Sequence, residues 1–271
     1  MACSVDDSPL TLAGRIGRRL DGELVLDAHT HMGAHFNYYG LPDADVGDLV
    51  REMDRLGVRG SITFSFAGVN NDFIYGNSLV NEMTAPHRDR FMPLALVSPR
   101  YGDLIVPELE RCAGLGFRGI KLIAAYQQVP ADTPALSPAY EFAAQHGWIV
   151  LSHSWPEPAF LYELARRYPK VTFIDGHGGC AAGEPQRNVP GNVLFCTLTE
   201  FTHGTIERFV NNAPLEQIVF GSDVPDLPLG WGLGAVLMAK ISDEAKRKIL
   251  GVNLASALAR HGWAFPHDSE D

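Results

Sequence analysis

The stretch Leu24-Val25-Leu26-Asp27-Ala28-His29-Thr30-His31-Met32-Gly33 decides how the rest of the chain is read. An apolar run that alternates into Asp27, His29 and His31 predicts a short strand ending in polar side chains. Alternate residues of a strand share a face, so these three side chains are expected to project together. Two imidazoles a few ångströms apart on one face suit a divalent transition metal such as zinc. A lone His-x-His also fits two histidines that are merely packed or solvated at a strand end. Recurrence of the same pattern, strand and then ligand-type residue, separates the two readings.

Outward from this stretch, strand and helix alternate. Residues 45–56 predict a helix with Val46, Leu49, Val50, Met53 and Leu56 on one face, stopped by Gly57. Further strands are expected over 61–66, 91–97, 118–123, 148–153, 171–175, 192–197 and 217–221. Between them fall helical patterns near 76–85, 104–115, 138–146, 158–168 and 205–211, and two more close the chain at 243–250 and 253–261. Eight such units in roughly 250 residues is the rhythm of a (β/α)8 TIM barrel. The strands are nearly continuous apolar runs, as a sheet covered on both faces requires. An open doubly wound sheet is the alternative α/β fold, but no G-x-G-x-x-G follows the first strand. No linker, low-complexity segment or short repeat splits the chain. The expectation is one domain over 1–271, with a core of about 24–262 and polar N- and C-terminal extensions.

Composition narrows the partners. Hydrophobic residues make up 46%, as in an ordinary globular chain, and 22 Lys+Arg against 32 Asp+Glu leave a net charge of −10. That charge disfavours a nucleic-acid backbone. Residues 1–22 mix Asp6, Asp7, Arg15, Arg18 and Arg19 with few consecutive apolar residues, unlike a signal peptide, and no later apolar run is long enough to span a bilayer. The expected setting is the cytoplasm and the expected partner a small-molecule substrate, with homo-oligomerisation left open. Cys3, Cys112, Cys180 and Cys196 are widely separated and point neither to a disulfide framework nor to a thiolate zinc site.

The ligand-type residues fall at strand ends. His29 and His31 end the first strand, Lys121 sits near the end of the fourth, and His153 ends the fifth. His177 follows the sixth and Asp223 follows the eighth. In a barrel the C-terminal strand ends converge on one mouth, so these six residues would meet there. Singly, each has another reading: Asp223 in Gly221-Ser222-Asp223 as a helix cap, His177 as a turn residue before Gly178-Gly179. Jointly they point to a metal site.

Several segments carry a resemblance. Asp27-Ala28-His29-Thr30-His31, Gly119-Ile120-Lys121-Leu122, Asp175-Gly176-His177-Gly178-Gly179 and Phe220-Gly221-Ser222-Asp223-Val224-Pro225 resemble the amidohydrolase superfamily. The match is to its amidohydrolase 2 branch of TIM-barrel metal-dependent hydrolases and decarboxylases, and Ile249-Leu250-Gly251-Val252-Asn253 resembles that branch's closing helix. The resemblance implies that His29 and His31 hold one metal with Asp223, and that His153 completes the site if it is mononuclear. His177 would then assist in binding or proton transfer. In binuclear members a lysine at the end of strand four is carboxylated and bridges two metals, with the strand-five and strand-six histidines on the second ion. Lys121 falls at the matching place. Many relatives continue from Lys-Leu into His-Pro, whereas this chain has Ile123-Ala124, so Lys121 is also open to an ion pair or a substrate contact.

The implied cofactor is a divalent metal, zinc first, as one or two ions. Such an ion lowers the pKa of water to about 7 and polarises a carbonyl or lactone oxygen. Asp223 would take the proton of the attacking water and pass it to the leaving group. The expected activity is hydrolysis of an amide, lactone or ester bond, with decarboxylation of an aromatic or enoic acid as the alternative and a non-catalytic metal-binding barrel behind both. Arg100 and Arg187 are the cations placed to clamp a substrate carboxylate. Tyr38, Tyr39, Tyr126 and Trp155 favour a ring or an uncharged organic molecule over a phosphate, and Glu200 offers an extra carboxylate beyond strand seven.

Overall fold

The computed structural model describes residues 8–33, 45–69, 72–197 and 204–266. From the N-terminus, α1 (Pro9–Arg15) leads to β1 (Leu26–Met32), α2 (Val46–Leu56), β2 (Gly60–Ser65), α3 (Phe73–Thr84), β3 (Phe91–Pro93) and β4 (Ala95–Leu96). Then come α4 (Gly102–Gly114), β5 (Gly119–Leu122), α5 (Ser137–His146), β6 (Ile149–Ser152), α6 (Pro158–Arg167) and β7 (Thr172–Asp175). α7 (Gly179–Gly183), β8 (Val193–Cys196), α8 (Thr205–Asn212), β9 (Ile218–Val219), α9 (Leu229–Met238), α10 (Asp243–Arg247) and α11 (Asn253–Ala259) complete it. Helix α2 shows how locally this is written. Asp45 caps the Asp48 amide at 2.8 Å, Leu49, Met53 and Leu56 bury one stripe, and Gly57 turns left-handed at φ 83° to stop the helix.

Neighbouring strands pair in parallel and in sequence order, β1 to β3 in one run and β4 to β9 in the next. Backbone bonds link the runs at both seams. The Leu94 amide donates to the Thr63 carbonyl at 2.8 Å, so β3 and β4 continue one strand beside β2. At the other seam Ala28 donates to Phe220 at 2.9 Å and His31 to Val224 at 2.8 Å, while Asp223 donates back to His29 at 2.9 Å. The result is an α/β barrel of the TIM type. Its inner core holds Leu26, Ile62, Phe64, Ile149, Leu151 and Ile174, and an outer core between strands and helices holds Val25, Ile120, Val150, Phe173 and Phe195. Side chains of β6 alternate between the two, so both faces of the strand are apolar.

Several expectations need correction. The third strand, expected unbroken over 91–97, is interrupted after Pro93, whose ring leaves no amide for the ladder. Asn77 of α3 takes over at Leu96, accepting its amide at 2.8 Å and donating to its carbonyl at 2.9 Å. The N-terminal extension is not simply polar: Ser8 caps α1, and Leu10 and Ala13 enter the outer core. Lys246, fully buried, fastens the same helix by donating to Thr11 Oγ1 at 2.6 Å. Helix α9, Leu-Gly-Trp-Gly-Leu-Gly-Ala-Val-Leu-Met, lies where no helix was expected. At the far end the packed chain reaches Phe265, 5% exposed, rather than ending near 262.

Candidate metal centre

The first strand does not present Asp27, His29 and His31 by plain alternation. Its register on β2 runs Asp27 to Ser61 and then Thr30 to Thr63, which places a bulge between them. Ala28 lies in the inner core, and His29 also turns inward, its ring 5.6 Å from that of Phe64. His31 follows on the same side, 4.3 Å from Phe64 and stacked 4.1 Å from Phe66. Asp27 instead gives its Oδ1 to two backbone amides, those of His29 at 3.0 Å and Ser222 at 3.1 Å.

His29, His31 and Asp223 come together as expected. His31 Nε2 lies 2.6 Å and His29 Nε2 3.5 Å from Asp223 Oδ1, and three donor atoms of this buried group lie within 4.8 Å of one another. His29 Nδ1 donates to the Gly176 carbonyl at 3.0 Å. That bond fixes the tautomer and leaves the Nε2 lone pair facing the cluster, the outer bond that a metal-ligating histidine needs. His31 Nδ1 is buried without a hydrogen-bond partner among the described residues. Two imidazole nitrogens and a carboxylate oxygen, buried and convergent, fit a divalent ion such as zinc or manganese.

Lys121 closes the other side. It is fully buried, with Nζ 2.9 Å from His29 Nε2 and 4.2 Å from the centre of the Phe64 ring. Burial pulls its ammonium down to about 7, against the attraction of Asp223. The rings of His153 and His177 lie 4.0 Å apart, and His177 is 5.3 Å from His29. Burial lowers all three: His29 well below the usual range, with Lys121 adding to it, His153 to about 2 and His177 to about 4. Burial alone would raise Asp223, but the charge and hydrogen bond of His31, with His29 and His177, hold it well below the usual carboxylate range. At neutral pH His29, His153 and His177 are neutral imidazoles beside an ionised Asp223, and Lys121 exchanges its proton near the same pH.

The expected substrate contacts divide. The Tyr126 ring lies 4.8 Å from that of His153 and is 40% exposed, at the edge of the cluster. Arg187 and Trp155 line a cavity of about 670 Å³ that reaches His177, with Tyr162 on its wall. Trp155 does so from the core: it is 8% exposed, stands edge-on to Phe173 and donates to the Ile174 carbonyl at 3.4 Å. Arg100 donates to the carbonyls of Gln127 and Gln128, at 2.6 and 3.4 Å, and so braces the loop that follows Lys121. Tyr38, Tyr39 and Glu200 lie outside the described residues. A second cavity, about 440 Å³, touches His31 from the side of α2 and Pro225. Phe64, which contacts both first-strand histidines and Lys121, was read from the sequence only as an apolar strand residue. Gly176 was read as part of a turn, and its carbonyl has no side-chain signature.

The amidohydrolase family model, amidohydrolase 2, matches residues 26–255. No curated protein sequence matches the chain. Among solved structures it is similar to a 5-carboxyvanillate decarboxylase from Sphingomonas paucimobilis, with TM-score 0.68, 16% identity and coverage of 86% of this chain and 98% of that one. It is also similar to a 4-oxalomesaconate hydratase from Rhodopseudomonas palustris, with TM-score 0.66, 16% identity and coverage of 88% and 96%. A dihydroxybenzoic acid decarboxylase from Polaromonas sp. JS666, with bound manganese and the inhibitor 2-nitroresorcinol, gives TM-score 0.68, 17% identity and coverage of 87% and 96%. At these identities the likeness is one of fold, and the match over residues 26–255 carries the assignment: the chain belongs to the amidohydrolase family.

Proposed function

We propose that the chain is a metal-dependent hydrolase that cleaves an amide, lactone or ester-type bond in a small organic molecule. The observation that carries this reading is the placement of Lys121, fully buried with Nζ 2.9 Å from His29 Nε2. Burial brings the Lys121 amine to about 7, so a large share of it is neutral at neutral pH, and the neutral amine is the form that adds carbon dioxide: an N–C bond forms, one proton leaves, and the lysine becomes a carbamate with two oxygens. Such a group would help hold two ions, for which His29, His31 and Asp223 on one side and His153 and His177 on the other would be the remaining protein ligands. A bound divalent ion would lower the pKa of water to about 7 and polarise the scissile carbonyl. Asp223, held ionised among histidines, would accept the proton of the attacking water and return it to the leaving group. No helix among the described residues is long and apolar enough to cross a membrane. Zinc is the proposed ion.

Decarboxylation of an aromatic acid is the second reading, favoured by the activities of two of the similar structures. Metal content per chain separates them. Elemental analysis of protein purified without chelator and with bicarbonate should find about two ions, falling in Lys121→Ala, with amides or lactones hydrolysed. About one ion, unchanged in Lys121→Ala, with carbon dioxide released from aromatic acids, would replace hydrolysis with the second reading.

A further inference from the structure

The bulge in β1 poses a backbone problem beside the cluster. Three steps of β1, from Asp27 to Thr30, run beside two steps of β2, from Ser61 to Thr63. A bulge takes residues out of the regular ladder, and a buried amide must then find another acceptor. The His29 amide finds Asp27 Oδ1 at 3.0 Å, inside its own strand. The same oxygen accepts the Ser222 amide at 3.1 Å from the opposite side of the seam. Ser222 precedes Asp223, which sits in the left-handed region at φ 63°. That conformation is uncommon for a residue with a side chain and is held by its surroundings. One oxygen therefore joins the backbone that aims two imidazoles to the backbone that aims the carboxylate.

Asp27 also faces the Ser222 hydroxyl, on the same segment as the second amide. Its side chain is fully buried, and Oδ2 has no hydrogen-bond partner among the described residues. The seam beside it is tight: a Cβ on Gly221 would collide with Cys196 Sγ and lie 3.2 Å from the His29 Cβ.

We propose that Asp27 is a positioning residue of the metal centre, its Oδ1 setting the separation of His29 and His31 from Asp223 by accepting the amides of both backbone segments. It touches neither substrate nor ion, and it acts as an acceptor, not as a charge. The proposal rests on the reading of His29, His31 and Asp223 as ligands.

The test uses the full chain and zinc alone, with affinity read by chelator competition and cobalt(II) as a second probe through its visible spectrum. Asn at 27 keeps the acceptor oxygen, and Leu keeps the volume without it. Asp27→Asn is expected to bind zinc within about 3-fold of the parent, and Asp27→Leu, folded by circular dichroism, about 10- to 100-fold more weakly and with an altered cobalt spectrum. Parental affinity and spectrum in Asp27→Leu would overturn the proposal. So would a loss in Asp27→Asn equal to that in Asp27→Leu, which would assign the role to the charge. An Asp27→Leu chain that fails to fold while Asp27→Asn folds would place Asp27 in the fold and not in the site, again overturning it. A parent that binds no zinc would instead remove the ligand reading itself.

Discussion

A lysine with no exposed surface, 4.2 Å above a phenylalanine ring and 2.9 Å from an imidazole, holds its proton at a cost. Burial lowers Lys121 from 10.5 to about 7. The unfolded chain therefore binds a proton that the folded chain gives up between those values. The penalty on folding is full below about pH 7 and fades as pH rises toward 10.5. Lys121→Met fills similar volume without a proton to lose. The metal-free variant should be more stable than the metal-free parent by on the order of 2 kcal/mol at pH 7, and most of the gap should be gone by pH 10. Urea unfolding of both chains at the two pH values measures this, and a gap that stays constant with pH would disprove the assignment. The residue types of the cluster were legible because each ends a strand and barrel strand ends converge. The part played by Asp27 was not, because alternation assumes an unbroken ladder and a bulge leaves no mark in the apolar pattern.

At the scale of elements, the closing helices show what a pattern can and cannot convey. Two helical stretches near 243–250 and 253–261 were expected, and α10 and α11 are there. Between them Lys248–Val252 forms a π-helical turn that makes the run continuous. Its Ile249 carbonyl accepts the Phe220 amide at 2.9 Å, just beyond β9, and Gly251 packs directly on the Leu24 carbonyl, just before β1. A Cβ at 251 would collide with that backbone oxygen, which has no flexible end to move aside. Gly251→Ala is therefore expected to destabilise the chain by about 2–3 kcal/mol, read as a lower urea midpoint with an unchanged slope. A loss of under about 0.5 kcal/mol would mean that the turn yields freely. Helix α9 was missed for a related reason: three glycines in its ten residues read as loop, whereas Gly232 faces the backbone of Gly221 and Ser222, with a Cβ there 3.3 Å from each. Pro93 marks the break in the third strand, but the Asn77 side chain that satisfies Leu96 beyond it comes from nineteen positions away, and no local window contains it.

Across the whole molecule, one end of the barrel concentrates groups whose protonation differs between the folded and unfolded chains. His29, His153 and His177 are all lowered by burial, the last two to about 2 and about 4, from an ordinary 6.5. As pH falls below 6.5 the unfolded chain takes up their protons and the folded chain does not, so stability present above 6.5 is lost on the way to about 4. Asp27 works in the opposite sense. Burial raises it from 3.8 to about 7, so within the same window the folded chain holds a proton that the unfolded chain lacks. Asp223 stays ionised throughout the window, and its contribution is lost only as the pH falls through and below 3.8. The histidines outnumber Asp27, and the metal-free protein should lose up to about 2–3 kcal/mol per pH unit between pH 6 and 4. Replacing His153 and His177 together by Asn removes two of the three histidine contributions and leaves Asp27 to offset the other. The acid-unfolding midpoint of that variant, followed by circular dichroism without metal, should move about 0.5–1 unit lower. An unmoved midpoint would mean that acid opens the molecule elsewhere and that the mouth is not its weakest point. With zinc present the parent should resist acid to a lower pH than without it, until protons displace the ion from the same imidazoles.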